Sequence, residues 1–239
     1  MPVREPILYL IPNFLGEAEP GRVFPPYNAR VVAGLRYFIA EKEKKARAFI
    51  KKVAPAVPQN ELHFYLLNKH TAAEQWREFL RPMEEGHSMG LLSDAGMPAV
   101  ADPGARVVQM AHRRGFRVEP LVGPSSILLA LAASGLDGQR FAFHGYLPID
   151  KQDLTRKIKE LEHESLRRRQ TQIFIETPYR NQKMLAMLAE KLSPQTLLCV
   201  AAGLTTSAEF IRTMPARDWL KNMPDIHKIP AVFLFLKKG

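Results

Sequence analysis

The chain has 239 residues, a single cysteine and ten more positive than negative charges, with 46% hydrophobic and 24% charged residues. That composition suits an ordinary globular protein, long enough for one large or two small hydrophobic cores. One cysteine forbids an intrachain disulfide and a cysteine zinc site, no apolar run nears the roughly 20 residues of a membrane span, and Pro12 interrupts any leader-like core, so the chain reads as cytoplasmic.

The first element is the compact apolar run Ile7–Ile11, bounded by Pro6 and Pro12, which reads as a buried strand. A loop, Pro12-Asn13-Phe14-Leu15-Gly16, follows it. The proline-rich stretch from Glu17 to Tyr27 is expected to be irregular. Val31 to Ala40 reads as a helix end running into a strand, after which come Glu41-Lys42-Glu43-Lys44 and a helix over Lys45–Val53. Six of the eleven residues from Lys42 to Lys52 are Lys or Arg. They form either a solvated helix face or a patch facing a polyanion.

Pro55 and Pro58 end that helix. Leu62–Leu67 reads as the next strand, followed by the loop residue His70. Thr71 and Glu74 have capping-box spacing for a helix reaching Leu80. Met89–Leu92 is a short strand that delivers Ser93-Asp94-Ala95-Gly96-Met97-Pro98-Ala99-Val100-Ala101-Asp102-Pro103-Gly104. So many Gly, Pro and Asp residues specify an ordered loop. Helical spacing at Val107, Val108, Met110 and Ala111 stops at Gly115, and Arg117–Val122 is a further strand. Gly123-Pro124-Ser125-Ser126 leads into an almost wholly apolar helix, Ile127–Ala133, closed by Gly135. Strand–loop–helix repeated in this way is the grammar of a parallel sheet, whose ligands sit beyond the carboxyl ends of the strands.

Beyond a connector at Leu136–Arg140, the stretch Asp150–Gln170 is charged and helical and includes the triplet Arg167-Arg168-Arg169. Thr171–Ile175 is a strand that presents Glu176-Thr177-Pro178. Asn181–Leu192 has helical spacing, Leu197–Ala201 is a strand with Cys199 buried in it, Gly203–Glu209 is a loop, and Ile229–Leu236 is the final strand. The domain change is expected near Pro120, giving an N-terminal domain over 1–120 and a C-terminal domain over 121–239.

Five motifs occur in the order seen in the tetrapyrrole methylase superfamily: Ser93–Pro98, Asp102–Gly104, Gly123–Ser126, Ala132–Leu136 and Phe143–Pro148. Phe174-Ile175-Glu176-Thr177-Pro178-Tyr179-Arg180 resembles a strand-plus-turn signature of one branch, the ribose 2′-O-methyltransferases of small-subunit ribosomal RNA. The resemblance implies two tandem α/β domains with mainly parallel sheets, S-adenosylmethionine between them, and a homodimer. Glu41–Lys44 stands where that branch carries an acidic, arginine-bearing loop. Gly203–Glu209 keeps only the Leu204-Thr205 centre and the later acid, Glu209, of the relatives' pattern.

The resemblance places the cofactor against Pro12, Asn13, Asp94, Ala95, Gly96, Met97, Pro98, Ser125, Ser126, Thr177 and Ala202. Asp94 suits a ribose or ammonium contact, or else an Asx-turn that shapes its loop. Asp102 reads as an N-cap for a helix beginning near Pro103. Glu176 is the candidate catalytic residue, with an ion pair to Arg180 as the competing role. Glu41, Lys44, Tyr179 and Arg180 are candidates for substrate binding, the last two as a stack or clamp on a nucleotide. No His, Cys or acid cluster has metal-ligand spacing, so no metal is expected. The expected function is methyl transfer to RNA, at a ribose hydroxyl of ribosomal RNA. The alternatives are a methyltransferase for a tetrapyrrole-like small molecule, and a cofactor- or RNA-binding protein that has lost catalysis.

Overall fold

The computed structural model describes residues 5–67, 71 and 75–239. Glu74, the expected partner of Thr71 in a capping box, and His70 lie outside the described residues. The chain forms two compact units, Met1–Ser125 and Ser126–Gly239. Leu121 stays with the first: its N–H extends the ladder to Leu10 O, and its side chain is buried in that unit's core.

The first unit runs β1 (Ile7–Ile11), α1 (Pro20–Val23), α2 (Pro26–Gly34), β2 (Tyr37–Ala40), α3 (Glu43–Val53), β3 (His63–Leu66), α4 (Gln75–Glu78), α5 (Arg81–Glu84), β4 (Met89–Leu92), α6 (Ala105–Arg113) and β5 (Arg117–Pro120). The prolines of the expected irregular stretch start helices instead: α1 and α2 both begin on proline, whose missing N–H costs nothing at a first turn. Gly115 (φ +77) ends α6 in the left-handed conformation that glycine adopts without strain.

All four strand pairings are parallel, in the order β3-β2-β4-β1-β5. Apolar side chains cover both faces of the sheet. Ile11, Phe38 and Leu92 pack with Val32, Phe49 and Ile50 on one side. Leu8, Ile39 and Leu91 pack with Phe79, Met83 and Val107 on the other. Because β4 lies between β1 and β2, the loops leaving β1 and β4 emerge side by side.

The second unit runs α7 (Ser126–Ser134), β6 (Phe141–Tyr146), α8 (Lys151–Arg168), β7 (Thr171–Ile175), α9 (Asn181–Lys191), β8 (Leu197–Ala202), β9 (Phe210–Pro215), α10 (Ala216–Trp219) and β10 (Ala231–Leu236). Asp150 caps α8 by accepting the Gln152 and Asp153 N–H groups. The sheet order is β6-β7-β10-β8-β9.

Here the expectation of a mainly parallel sheet needs correction. Only β6–β7 is parallel, and the other three pairings are antiparallel. Chain length accounts for the β8–β9 pairing: Gly203–Glu209 joins the two strands without a helix, whereas a parallel crossover needs a dozen or more residues. β6 and β9 are strands that the hydrophobic pattern did not disclose. Both are edge strands, and neither is continuously buried. The core of this unit centres on Phe174, Phe233, Phe235, Leu185, Leu188 and Trp219. The helix α7 packs on β8, β9 and β10 through Ile127, Ala130 and Leu131.

Candidate functional site

In the first unit the sequence-predicted loops converge. Asn13 and Gly96 exchange backbone hydrogen bonds (Asn13 N to Gly96 O 2.9 Å, Gly96 N to Asn13 O 3.1 Å), an isolated antiparallel bridge between the loops after β1 and β4. The Asn13 amide also donates to Ser93 O at 2.9 Å, while its Oδ1 accepts the Phe14 N–H. Asn13 is buried and its side chain is committed to the loops themselves, so it shapes the rim without offering a donor to a ligand.

The loop after β5 joins them by close approach. A Cβ at Gly123 would stand 2.2 Å from Pro12 Cγ, and one at Gly96 would meet Pro124 O at 3.6 Å. Gly96 has φ +69, so glycine serves there twice, for conformation and for space. Pro12, Asn13, Asp94 to Pro98 and Ser125 thus belong to one rim. Within it Pro12, Gly96 and Pro98 are buried, Met97 and Ser125 are half-buried, and Ala95 is exposed. Ser126 begins α7 of the second unit.

The charged groups of this rim come from two strand tips. Asp94 Oδ2 accepts hydrogen bonds from Lys42 Nζ and Lys45 Nζ, each at 2.9 Å. Burial pushes the Asp94 carboxyl up, but the two lysines outweigh it and hold the group below its ordinary range. Glu41 moves the other way: burial raises it, reinforced by the charges of Asp102 and Asp94, against Lys42 and the Asp94 N–H bonded to it. Sequence reasoning chose Lys44, which is exposed on α3. The lysines that reach the rim are Lys42 and Lys45, and the signal was available: a spacing of three puts both on one side of a helix start.

Asp102 does not cap α6 as expected. Its Oδ1 accepts the Ala99 and Gly104 N–H groups at 2.8 and 2.7 Å, stapling a loop in which Ala99 and Ala101 have φ +65 and +57. The cap position is Gly104, which makes no side-chain bond. Asp102 shapes the loop from its interior instead, because it lies too far ahead of Ala105 to reach the first turn.

In the second unit, Glu176 and Thr177 leave the end of β7. Glu176 is 5% exposed. Its Oε1 accepts the Thr177 N–H, and Arg180 Nη2 lies 3.1 Å from Oε2, off hydrogen-bond geometry. The ion pair is therefore formed, and Arg180 is drawn back against the chain. Thr177 is exposed, and Tyr179 is 70% exposed. Ala202, the last residue of β8, is fully buried in the core and laddered to β9 and β10. The loop after it ties itself together: Thr206 Oγ1 donates to Gly203 O, and Glu209 Oε2 accepts the Thr205 N–H. Thr205 Oγ1 is a buried atom with no hydrogen-bond partner among the described residues. Among those residues no group of three or more His, Cys, Asp or Glu is placed to hold a metal ion, and no helix is long and apolar enough to cross a membrane.

A doubly covered parallel sheet with three joined loops at its strand tips, followed by a mixed sheet, defines an α/β protein built for ligands at strand ends. The family profile of tetrapyrrole (corrin/porphyrin) methylases matches residues 27–219, and the chain belongs to that family. It is 31% identical over 156 residues to the ribosomal RNA small subunit methyltransferase I of Pseudomonas aeruginosa, covering 64% of this chain and 54% of that protein. With the protein of the same name from Bacillus subtilis the identity is 33% over 207 residues, covering 86% and 66%. The match spans about half the length of several such relatives. Among solved structures, the methyltransferase CobJ superposes with a TM-score of 0.61 at 19% identity, covering 97% of this chain and 92% of that one.

Proposed function

We propose that the protein is an S-adenosylmethionine-dependent methyltransferase acting on RNA, at a ribose hydroxyl of ribosomal RNA, in the cytoplasm and as a homodimer. The observation that carries this reading is the joined rim of the first unit, in a chain whose relatives are named as ribosomal RNA methyltransferases. When bound, the cofactor supplies an electrophilic methyl group on a sulfonium.

The residues present suit it. The exposed Ala95 and the half-buried Ser125 carry polar groups on the rim that suit such a ligand. Asp94 supplies a carboxylate already flanked by two ammonium groups. Such a carboxylate is better matched to a ribose diol, which donates hydrogen bonds without bringing a third positive charge. Gly96, Met97, Pro98 and the buried Pro12 form the wall. Positioning of this kind can supply on the order of 7–11 kcal/mol of a displacement barrier.

Glu176 is the residue to test for chemistry. Glu176→Gln keeps an acceptor for Thr177 N–H but removes the charge that holds Arg180. Turnover is expected to fall by more than tenfold with donor affinity changed less than threefold, on the scale of a lost general base or its positioning partner. Unchanged turnover would remove Glu176 from the mechanism.

The deciding experiment transfers labelled methyl groups from S-adenosylmethionine to small-subunit ribosomal RNA and, separately, to a tetrapyrrole pool. Label in RNA supports the proposal. Label only in tetrapyrroles supports the second reading, which the family's own description favours. Donor binding without transfer to either identifies a binding protein that has lost catalysis.

A further inference from the structure

We propose that Tyr179, His227 and Lys228 form a clip for one unpaired nucleotide of RNA, the base stacking on the tyrosine and a neighbouring phosphate meeting the lysine. This rests on the RNA reading above and adds two residues to it.

Tyr179 sits in the turn between β7 and α9 with 70% of its surface exposed. Two side chains from the segment before β10 stand beside its ring. The His227 ring lies edge-on at 6.4 Å between centroids, with an interplanar angle of 75°, and Lys228 Nζ lies over the tyrosine ring, 6.0 Å from its centroid. An exposed aromatic ring with a cation close to it is the combination that holds single-stranded nucleic acid, because every base has a π-face and every nucleotide a phosphate.

The clip is built rather than incidental. Lys228 has φ +62, a strained conformation for a non-glycine residue, and it is held there by its N–H bond to Pro178 O at 3.1 Å. The fully buried Asn181 donates to Ile229 O. Gln182 grips the same segment twice, donating to Pro224 O at 3.1 Å and accepting the Ile226 N–H at 3.0 Å. Asp225 Oδ1 accepts the His227 N–H and closes the turn. The first turn of α9 thus fixes the lysine beside the ring before any ligand arrives. Arg180, which the sequence offered as the clamp, is instead engaged by Glu176.

Two features choose the ligand. A base inside a duplex is already stacked on both sides, so an isolated exposed ring selects an unpaired one. A tetrapyrrole carries several carboxylates around a wide macrocycle, which one lysine does not match.

The test measures binding of a fluorescein-labelled single-stranded oligoribonucleotide, its duplex form and uroporphyrin III to the full chain. Tyr179→Ala is expected to weaken single-strand binding by about 5- to 150-fold while leaving duplex binding within twofold, and Tyr179→Phe to stay within twofold on both. Lys228→Gly, which suits the left-handed backbone, should lower the slope of log K against log salt by about 0.7. If Tyr179→Ala and Lys228→Gly both bind the single strand within twofold of the parent, the clip is overturned. Equal losses on single strand and duplex overturn it as well, as does loss of uroporphyrin III binding alone. A parent chain that neither binds nor methylates RNA overturns the RNA reading itself. A parent that does both, with variants unchanged, overturns only the clip.

Discussion

Gly123 shows how a single missing side chain assembles the rim. No Cβ fits there, since it would fall 2.2 Å from Pro12 Cγ and 2.7 Å from Pro12 Cβ. Gly123→Ala must push the loops after β1 and β5 apart, so it is expected to cost about 1–3 kcal/mol in denaturant unfolding and to weaken donor binding in calorimetry. Glu162 is the corresponding point in the second unit. Its side chain is 5% exposed, and Oε1 accepts both the Ser193 N–H and the Thr196 hydroxyl. Burial opposes its ionisation, but those hydrogen bonds and the charge of Lys237 win, so its carboxyl lies below the ordinary 4.5. A depressed carboxyl contributes stability that is fully present above the unfolded value and disappears as pH falls through the folded one. Glu162→Gln should therefore cost about 1–2 kcal/mol at pH 7, with the difference from the parent shrinking in unfolding curves as pH falls below the ordinary 4.5.

At the scale of elements, α7 separates what an apolar sequence allows from what packing uses. Every residue of Ile127–Ala133 is apolar, yet only Ile127, Ala130 and Leu131 are buried, while Leu128 and Leu129 are 57% and 39% exposed. Periodicity cannot choose a face on a helix that is apolar all round. The sheet chose it, and Thr213 Oγ1 fixes the end of the helix by donating to Ser134 O at 2.7 Å. Leu131→Ala is expected to lose about 2–5 kcal/mol, and Leu129→Gln to stay within about 0.5 kcal/mol, both read from denaturant midpoints. The mixed second sheet has a similar lesson. The connection from β8 to β9 is visibly too short for a crossover, so its geometry was written in the sequence, but the half-exposed edge strand that it leads to has no continuous apolar run to announce it.

Over the whole molecule the ten surplus positive charges do less than their number implies. Of the six cations between Lys42 and Lys52, four are engaged within the chain. Lys42 and Lys45 hold Asp94, Arg47 pairs with Glu43 and lies over Phe64, and Lys52 donates to Ala18 O. Arg167 and Arg168 pair with Glu164. The run on α3 is thus mostly internal wiring, with Lys44 and Lys51 exposed. If RNA is the ligand, Lys44→Gln with Lys51→Gln should lower the salt slope of binding by about 1.4, whereas Lys52→Gln should leave it unchanged within error in the same titration.

The sequence by itself determined the family, the alternation of strand and helix in the first unit and the loops that carry its polar residues. Apolar period, glycine and proline are local signals, and each was strong there. Only the tertiary structure decided which cations meet Asp94, that Asn13 and Asp102 spend their hydrogen bonds on the loops, and that Arg180 belongs to Glu176. Those outcomes depend on which strand tips become neighbours, and β4 entering between β1 and β2 is a property of the sheet that no stretch of residues contains.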